Sequence, residues 1–289
     1  MKGLLAAICV GALLAPGATS ASTKASSAKP RAAKHAPAKP AAPSLFDRPI
    51  KTQTLTLPAN QDGNKPKVTC TIYAHFMVKQ VDEGEVGAAQ LSIVPLAAGA
   101  KPVCQRKNMP GEKVVNPSDW SGYVKGVKGD YVFFDADDGV NGGLGFAIVA
   151  AGTAKKLFDD SAVGNLKAVT LAGDILTIRY ARSFAGDCSV PHEGVQCWSK
   201  IAAAAGQTGA KQPDCAAGYL KAKNEMAKGR CEADRKSGPA CMASALKELD
   251  RQKWDEAPSV IVYDAETVVR SGGATTRPLG APTACHPSD

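Results

Sequence analysis

Eight of the nine cysteines stand after residue 69, at Cys70, Cys104, Cys188, Cys197, Cys215, Cys231, Cys241 and Cys285. An even set of this size constrains a fold more than any other feature here. In an oxidising compartment it closes into disulfides, and each bridge must obey Cα distances that regular elements either permit or forbid. Zinc is a poor alternative, because no C-x2-C pair occurs and histidine is scarce. The absence of C-x-x-C-H excludes covalent haem attachment.

Export is the expectation that makes those cysteines disulfides. Residues 1–21 read as a signal peptide. Lys2 supplies the positive start, Leu4 to Ala15 a short apolar stretch, Pro16-Gly17 a break, and Thr19-Ser20-Ala21 the small residues before cleavage. The ninth cysteine, Cys9, lies inside that stretch behind Ile8, and is expected to leave with the leader. The apolar run is too short for a permanent membrane span, which needs about 20 residues. A periplasmic or extracellular protein without a transmembrane segment is therefore expected.

Residues 22–44 follow with eight Ala, four Pro, four Ser and five cations (Lys24, Lys29, Arg31, Lys34, Lys39) and no acid. Such a tract buries too little apolar surface to repay ordering, so it reads as a disordered basic linker. It also accounts for the charge. The chain carries +8, and removing Lys2 with the linker cations leaves about +2 for residues 45–289. A nucleic-acid reader concentrates cations on its folded surface, so nucleic acid is not an expected partner. The partner suggested by the linker is an anionic envelope component; a plain soluble spacer is the simpler alternative.

Residues 45–186 read as a β-rich domain. Val68, Cys70, Ile72, Ala74, Phe76 and Val78 alternate with polar residues, Met77 excepted. That period of two predicts one strand over Val68–Lys79 with Cys70 inward. Further strands are expected at Thr52–Leu57, Gln90–Val94, Tyr131–Asp135, Gly145–Val149, Lys156–Phe158, Leu166–Leu171 and Ile175–Ala181, the last pair joined by Gly173-Asp174. Short strands punctuated by Gly and Asp predict an α+β chain that is mainly antiparallel β, a sandwich or barrel-like sheet.

Residues 187–258 change character to a cysteine-rich helical insertion. Trp198–Ala205 and residues 215–231 show helical spacing, and Pro239 opens another helix carrying Met242, Ala245, Leu246 and Leu249 on one face. The result is an αα-hairpin. A helix over 215–231 holds Cys215 about 24 Å from Cys231, too far to bridge. Cys231–Cys241 and Cys188–Cys197 then rank first among local pairs, and elimination leaves Cys70–Cys104 and Cys215–Cys285, one scheme of about 105. Residues 259–289 return as a strand and tail of the same folding unit, with Ser259–Val268 expected in the sheet that holds Val68–Lys79.

Three groups are candidate sites. Asp135, Asp137, Asp138 and Asn141, amid glycines, place oxygen ligands at near-alternate positions as a calcium loop does, though no glutamate closes the set. The simpler reading is a hairpin using Asp, Asn and Gly for turn geometry. Trp120 and Tyr123 offer aromatic surface for a sugar or protein partner, against ordinary burial. His75, His192 and His286 are scattered and form no H-E-x-x-H. No G-x-S-x-G, P-loop or dinucleotide fingerprint occurs, and catalytic residues stay unassigned. The expected function is a non-catalytic, envelope-associated binding module, with calcium the one cofactor suggested. The alternative is a secreted hydrolase using acids around Asp135–Asp138.

Overall fold

The computed structural model describes residues 44–288 apart from 62, 116–119, 121 and 236. The expected leader and nearly all of the expected linker lie outside the described residues. The described residues form fourteen strands and four α-helices.

The first five strands form one antiparallel sheet in chain order: β1 (Lys51–Thr56), β2 (Lys67–Ile72), β3 (Phe76–Asp82), β4 (Gln90–Pro95) and β5 (Lys113–Val115). The expected single strand over Val68–Lys79 is therefore a hairpin. The Tyr73 N–H donates to the Phe76 carbonyl (2.9 Å), and the chain reverses between them. Met77, which broke the alternation, marks the reversal. In β3 the residues on both faces are buried: Phe76 and Val78 on one, Met77 and Val81 on the other. A strand covered on both faces loses its period of two.

The second sheet has nine strands: β6 (Gly122–Lys128), β7 (Tyr131–Val140), β8 (Gly143–Ala150), β9 (Lys156–Ala162), β10 (Ala168–Ala172), β11 (Ile175–Ala185), β12 (Ser259–Arg270), β13 (Gly273–Pro278) and β14 (Ala284–Pro287). Its main order is β13-β12-β11-β9-β8-β7-β6, with β10 beside β11 and β14 beside β12. Neither sheet closes on itself. The returning strand β12 pairs with β11 from Leu176↔Val269 to Ala185↔Val260. It thus belongs to the nine-stranded sheet rather than to the sheet containing Val68–Lys79, correcting the expected pairing. β5 and β6 were not anticipated. β5 is only three residues, and β6 carries Gly122 and Gly126 with a register shift between Val124 and Gly126, so neither shows clean alternation.

Between β11 and β12 the chain runs through α1 (Val190–Glu193), α2 (Val195–Ala204), α3 (Cys215–Ala233) and α4 (Pro239–Arg251). The Asp214 carboxylate caps α3 by accepting the Ala217 N–H (2.9 Å), and Pro239 starts α4 where its missing N–H costs nothing. Four disulfides join Cys70–Cys104, Cys188–Cys197, Cys215–Cys285 and Cys231–Cys241, the scheme expected from helix geometry, short-loop closure and elimination together. Cys231–Cys241 staples α3 to α4, and Cys215–Cys285 fastens α3 to β14. There α3 lies so close that a Cβ on Gly218 would stand 1.7 Å from the Cys285 carbonyl oxygen.

Three apolar layers result. Phe76, Val78, Leu91 and Ile93 of the smaller sheet meet Val132, Phe134 and Val149 of the larger one. The opposite face of the larger sheet, with Phe146, Ile178, Tyr180 and Ile261, packs on Trp198, Ile201 and Tyr219 from the helices. The outer face of the smaller sheet is covered by the segment carrying Cys104 and Met109. That segment is fixed by a buried ion pair, Lys79 Nζ to Glu112 Oε1 at 2.7 Å with side chains 0% and 1% exposed. Ser92 Oγ also donates to Glu112 (2.6 Å).

Candidate functional site

Alternation along β8 decides where a hollow can form. Gly143, Gly145, Ala147 and Val149 share one face. At the Val149 end the smaller sheet covers that face. At the glycine end Ala136, Trp120, Ser161 and Ser183 border it instead. Opposite Gly145, across the register, is Ser161 of β9. A Cβ on Gly143 would stand 2.3 Å from Ser161 Oγ and 2.9 Å from Ser183 Cβ of β11. The indole of Trp120, entering β6, lies over Gly145. Trp120, Ala136, Asp138, Ser161 and Ser183 line a recess of about 400 Å³ on this face, while Asp160 and Phe184 border it by their backbone and turn their side chains to the helix side of the sheet.

The acidic segment does not curl into a loop. Asp135 to Val140 continue β7 as strand, and Asn141 (φ 56°) with Gly142 (φ 68°) make the whole turn before β8. Two consecutive positive φ values define a tight type I′ hairpin, which explains Asn-Gly here. Ser183 Oγ donates to the Asn141 carbonyl (2.7 Å), pinning the hairpin tip over the recess. Asp135 is taken up by Lys125 (2.6 Å), and Asp138 Oδ1 accepts the Gly139 N–H (2.7 Å). Among the described residues no three His, Cys, Asp or Glu side chains gather as a metal cluster.

Of the residues singled out from sequence, the recess brings together Trp120, Asp138 and Asn141. Tyr123 lies in β6, and its hydroxyl accepts the Gly87 N–H (2.8 Å), a structural task. The sequence reading missed Asp160, Ser161, Ser183 and the paired glycines. The one signal available was Gly143-x-Gly145 within an apolar run, since glycine inside a strand often marks close backbone approach.

Beneath the recess Asp160 is fully engaged. Oδ1 accepts the Ser161 N–H (2.9 Å), and Oδ2 accepts the Tyr180 hydroxyl (2.6 Å). Arg182 Nε stands 2.7 Å from Oδ2 as an ion pair, although its N–H has no well-angled hydrogen bond. Burial and the adjacent Asp160 charge push the Tyr180 hydroxyl well above the ordinary tyrosine range. Burial opposes the Arg182 charge, but Asp160 and Tyr263 outweigh it and hold the guanidinium above its usual value. Arg182 also covers the Phe184 ring, 5.2 Å from its centroid.

Two polar atoms at this recess are buried without a hydrogen-bond partner among the described residues: Trp120 Nε1 and Ser161 Oγ. Each such group costs roughly 1–3 kcal/mol, so native folds keep few of them. The larger hollows differ. In one of about 500 Å³ the Tyr131 hydroxyl donates to the Asp174 carbonyl (2.5 Å). In one of about 640 Å³ His286 Nδ1 lies 2.9 Å from the Pro287 carbonyl oxygen. Compared with protein-family models, with curated proteins and with solved structures, the chain matches none.

Proposed function

We propose that this chain is an exported, non-catalytic, envelope-associated binding module whose ligand occupies the Trp120–Ser161 recess. The observation that carries the reading is the pair of unpartnered polar atoms on residues lining one hollow. A sandwich-like pair of sheets sharing an apolar layer would serve as a rigid platform for it. Four disulfides are consistent with export. No helix among the described residues is long and apolar enough to cross a membrane. The basic linker over residues 22–44 would add electrostatic attachment to an anionic surface.

A hydrolase is the second reading, favoured by Asp138 at the recess and by Asp160, whose carboxylate lies behind it on the helix side of the sheet. Against it, both oxygens of Asp160 already carry protein donors, which leaves no free oxygen for proton transfer.

The test is retention by isolated envelope fractions in about 0.5 M salt, where exposed linker charges are screened over a few ångströms. The wild type should sediment with the envelope, and Trp120→Ala should lose most of that retention. Equal retention of the two overturns the reading.

A further inference from the structure

We propose that the ligand of the recess is a neutral saccharide, an inference that rests on the binding-module reading above. The unmet groups choose the chemistry. Trp120 Nε1 only donates and Ser161 Oγ does both, and beside them the exposed Asp138 carboxylate, which already holds the Gly139 N–H at Oδ1, only accepts. An amine offers no acceptor to the indole N–H. An anion offers no donor to Asp138 and would meet its charge. A hydroxyl donates and accepts at one atom, so one class of ligand answers the whole set.

Charge points the same way. Asp135 is compensated by Lys125 and Asp160 by Arg182, which leaves the single carboxylate of Asp138 at the recess, too little charge to hold a polycation. The Trp120 indole suits the C–H face of a pyranose ring, which packs on aromatic surface while its hydroxyls face outward. Phe184 turns its ring to the opposite face of the sheet, under Arg182, which leaves Trp120 as the stacking surface. An extended peptide also carries donors and acceptors. It binds by adding to a free strand edge, however, and β8 and β9 beneath the recess are interior strands. Both unmet atoms are covered in the free protein, so a sugar hydroxyl reaches them only as the indole shifts.

The experiment follows the indole N–H resonances of the full chain in ¹⁵N–¹H correlation spectra. Trp120→Phe assigns the Trp120 signal. Trp254 Nε1, already donating to the Tyr219 carbonyl (3.3 Å), is the internal control. The probes are maltotetraose, cellotetraose and chitotetraose, with spermine and tetraalanine as the cationic and peptide arms. The expected result is a saturable downfield displacement of the Trp120 signal with at least one saccharide, while Trp254 stays fixed. Ser161→Ala should weaken that saccharide about tenfold, with the remaining spectrum unchanged. Displacement by spermine or tetraalanine and by no saccharide overturns the saccharide inference and leaves the recess a binding site. If no probe moves Trp120, the saccharide inference fails. If, in addition, Trp120→Ala keeps envelope retention, the binding-module reading fails with it.

Discussion

Gly145 and Trp120 stand face to face: a Cβ placed on Gly145 would lie 3.3 Å from Trp120 Cη2, and 3.2 Å from the Ala136 Cβ. The glycine leaves room for the indole, and small neighbours leave the hollow beside it.

Gly145→Val should therefore push Trp120 aside and fill the recess. Overpacking costs about 1–3 kcal/mol, partly offset because valine suits a strand better than glycine. Envelope retention should fall as far as in Trp120→Ala, while circular dichroism still reports the native fold. Retention equal to wild type, with the fold intact, would separate binding from this hollow.

The disulfides should differ in weight. Closing 70 residues, Cys215–Cys285 constrains the unfolded chain by about 4 kcal/mol, whereas Cys188–Cys197, closing 9, contributes about 2.5 kcal/mol. Thermal denaturation of the two double-alanine variants should show the larger fall for Cys215→Ala/Cys285→Ala. The chain lacking residues 1–21 should also show no titratable thiol in denaturant without reductant. Two or more reactive thiols would contradict the pairing.

Glu112 should make the covering segment of the smaller sheet acid-labile. Burial pushes its carboxyl up, but hydrogen bonds from Lys79, Ser92 and the Met109 N–H outweigh burial and hold it below the ordinary glutamate range. A carboxyl lowered in the folded state contributes stability above its unfolded value, and that contribution is lost as pH falls through its folded value. Glu112→Ala leaves Lys79 buried and unpaired, at about 3–5 kcal/mol. Urea titrations from pH 7 downward should show wild-type stability falling below the ordinary carboxylate range and the variant lower with a flatter profile. Parallel profiles would refute the role.

Five of the six tyrosines, at 73, 131, 180, 219 and 263, are held above the ordinary phenol range, burial being the largest cause in each. Raised folded values stabilise the protein below the unfolded phenol range, and that stabilisation disappears as pH rises through the folded values. Absorbance titration near pH 10 should therefore show far less than full phenolate, with the remainder appearing together with unfolding. Smooth titration of all six near pH 10 would contradict the packing.

Much of this architecture was legible because its determinants are local. The rise of an α-helix keeps Cys215 from Cys231, and with short-loop closure and elimination that ordered the cysteine pairs. Gly173-Asp174 specifies a hairpin wherever the strands go. What escaped depended on distant partners. Lys79 and Met77 obscure the hairpin at residues 73–76 because the segment around Glu112 covers a face that sequence reads as exposed. The pairing of β12 with β11 rather than with the first sheet follows from ten register pairs that no window of sequence contains. The recess is the extreme case. Trp120 and Asp138 were visible as residue types, but Ser161 and Ser183 join them only through the registry of β8, β9 and β11.

The most direct test is a structure of the protein bound to the envelope fragment that it retains. The account predicts the ligand in the recess, against the Trp120 ring, with hydroxyls within hydrogen-bonding distance of Trp120 Nε1 and Ser161 Oγ. A ligand held elsewhere, beside an empty recess with both atoms still unpartnered, would contradict it.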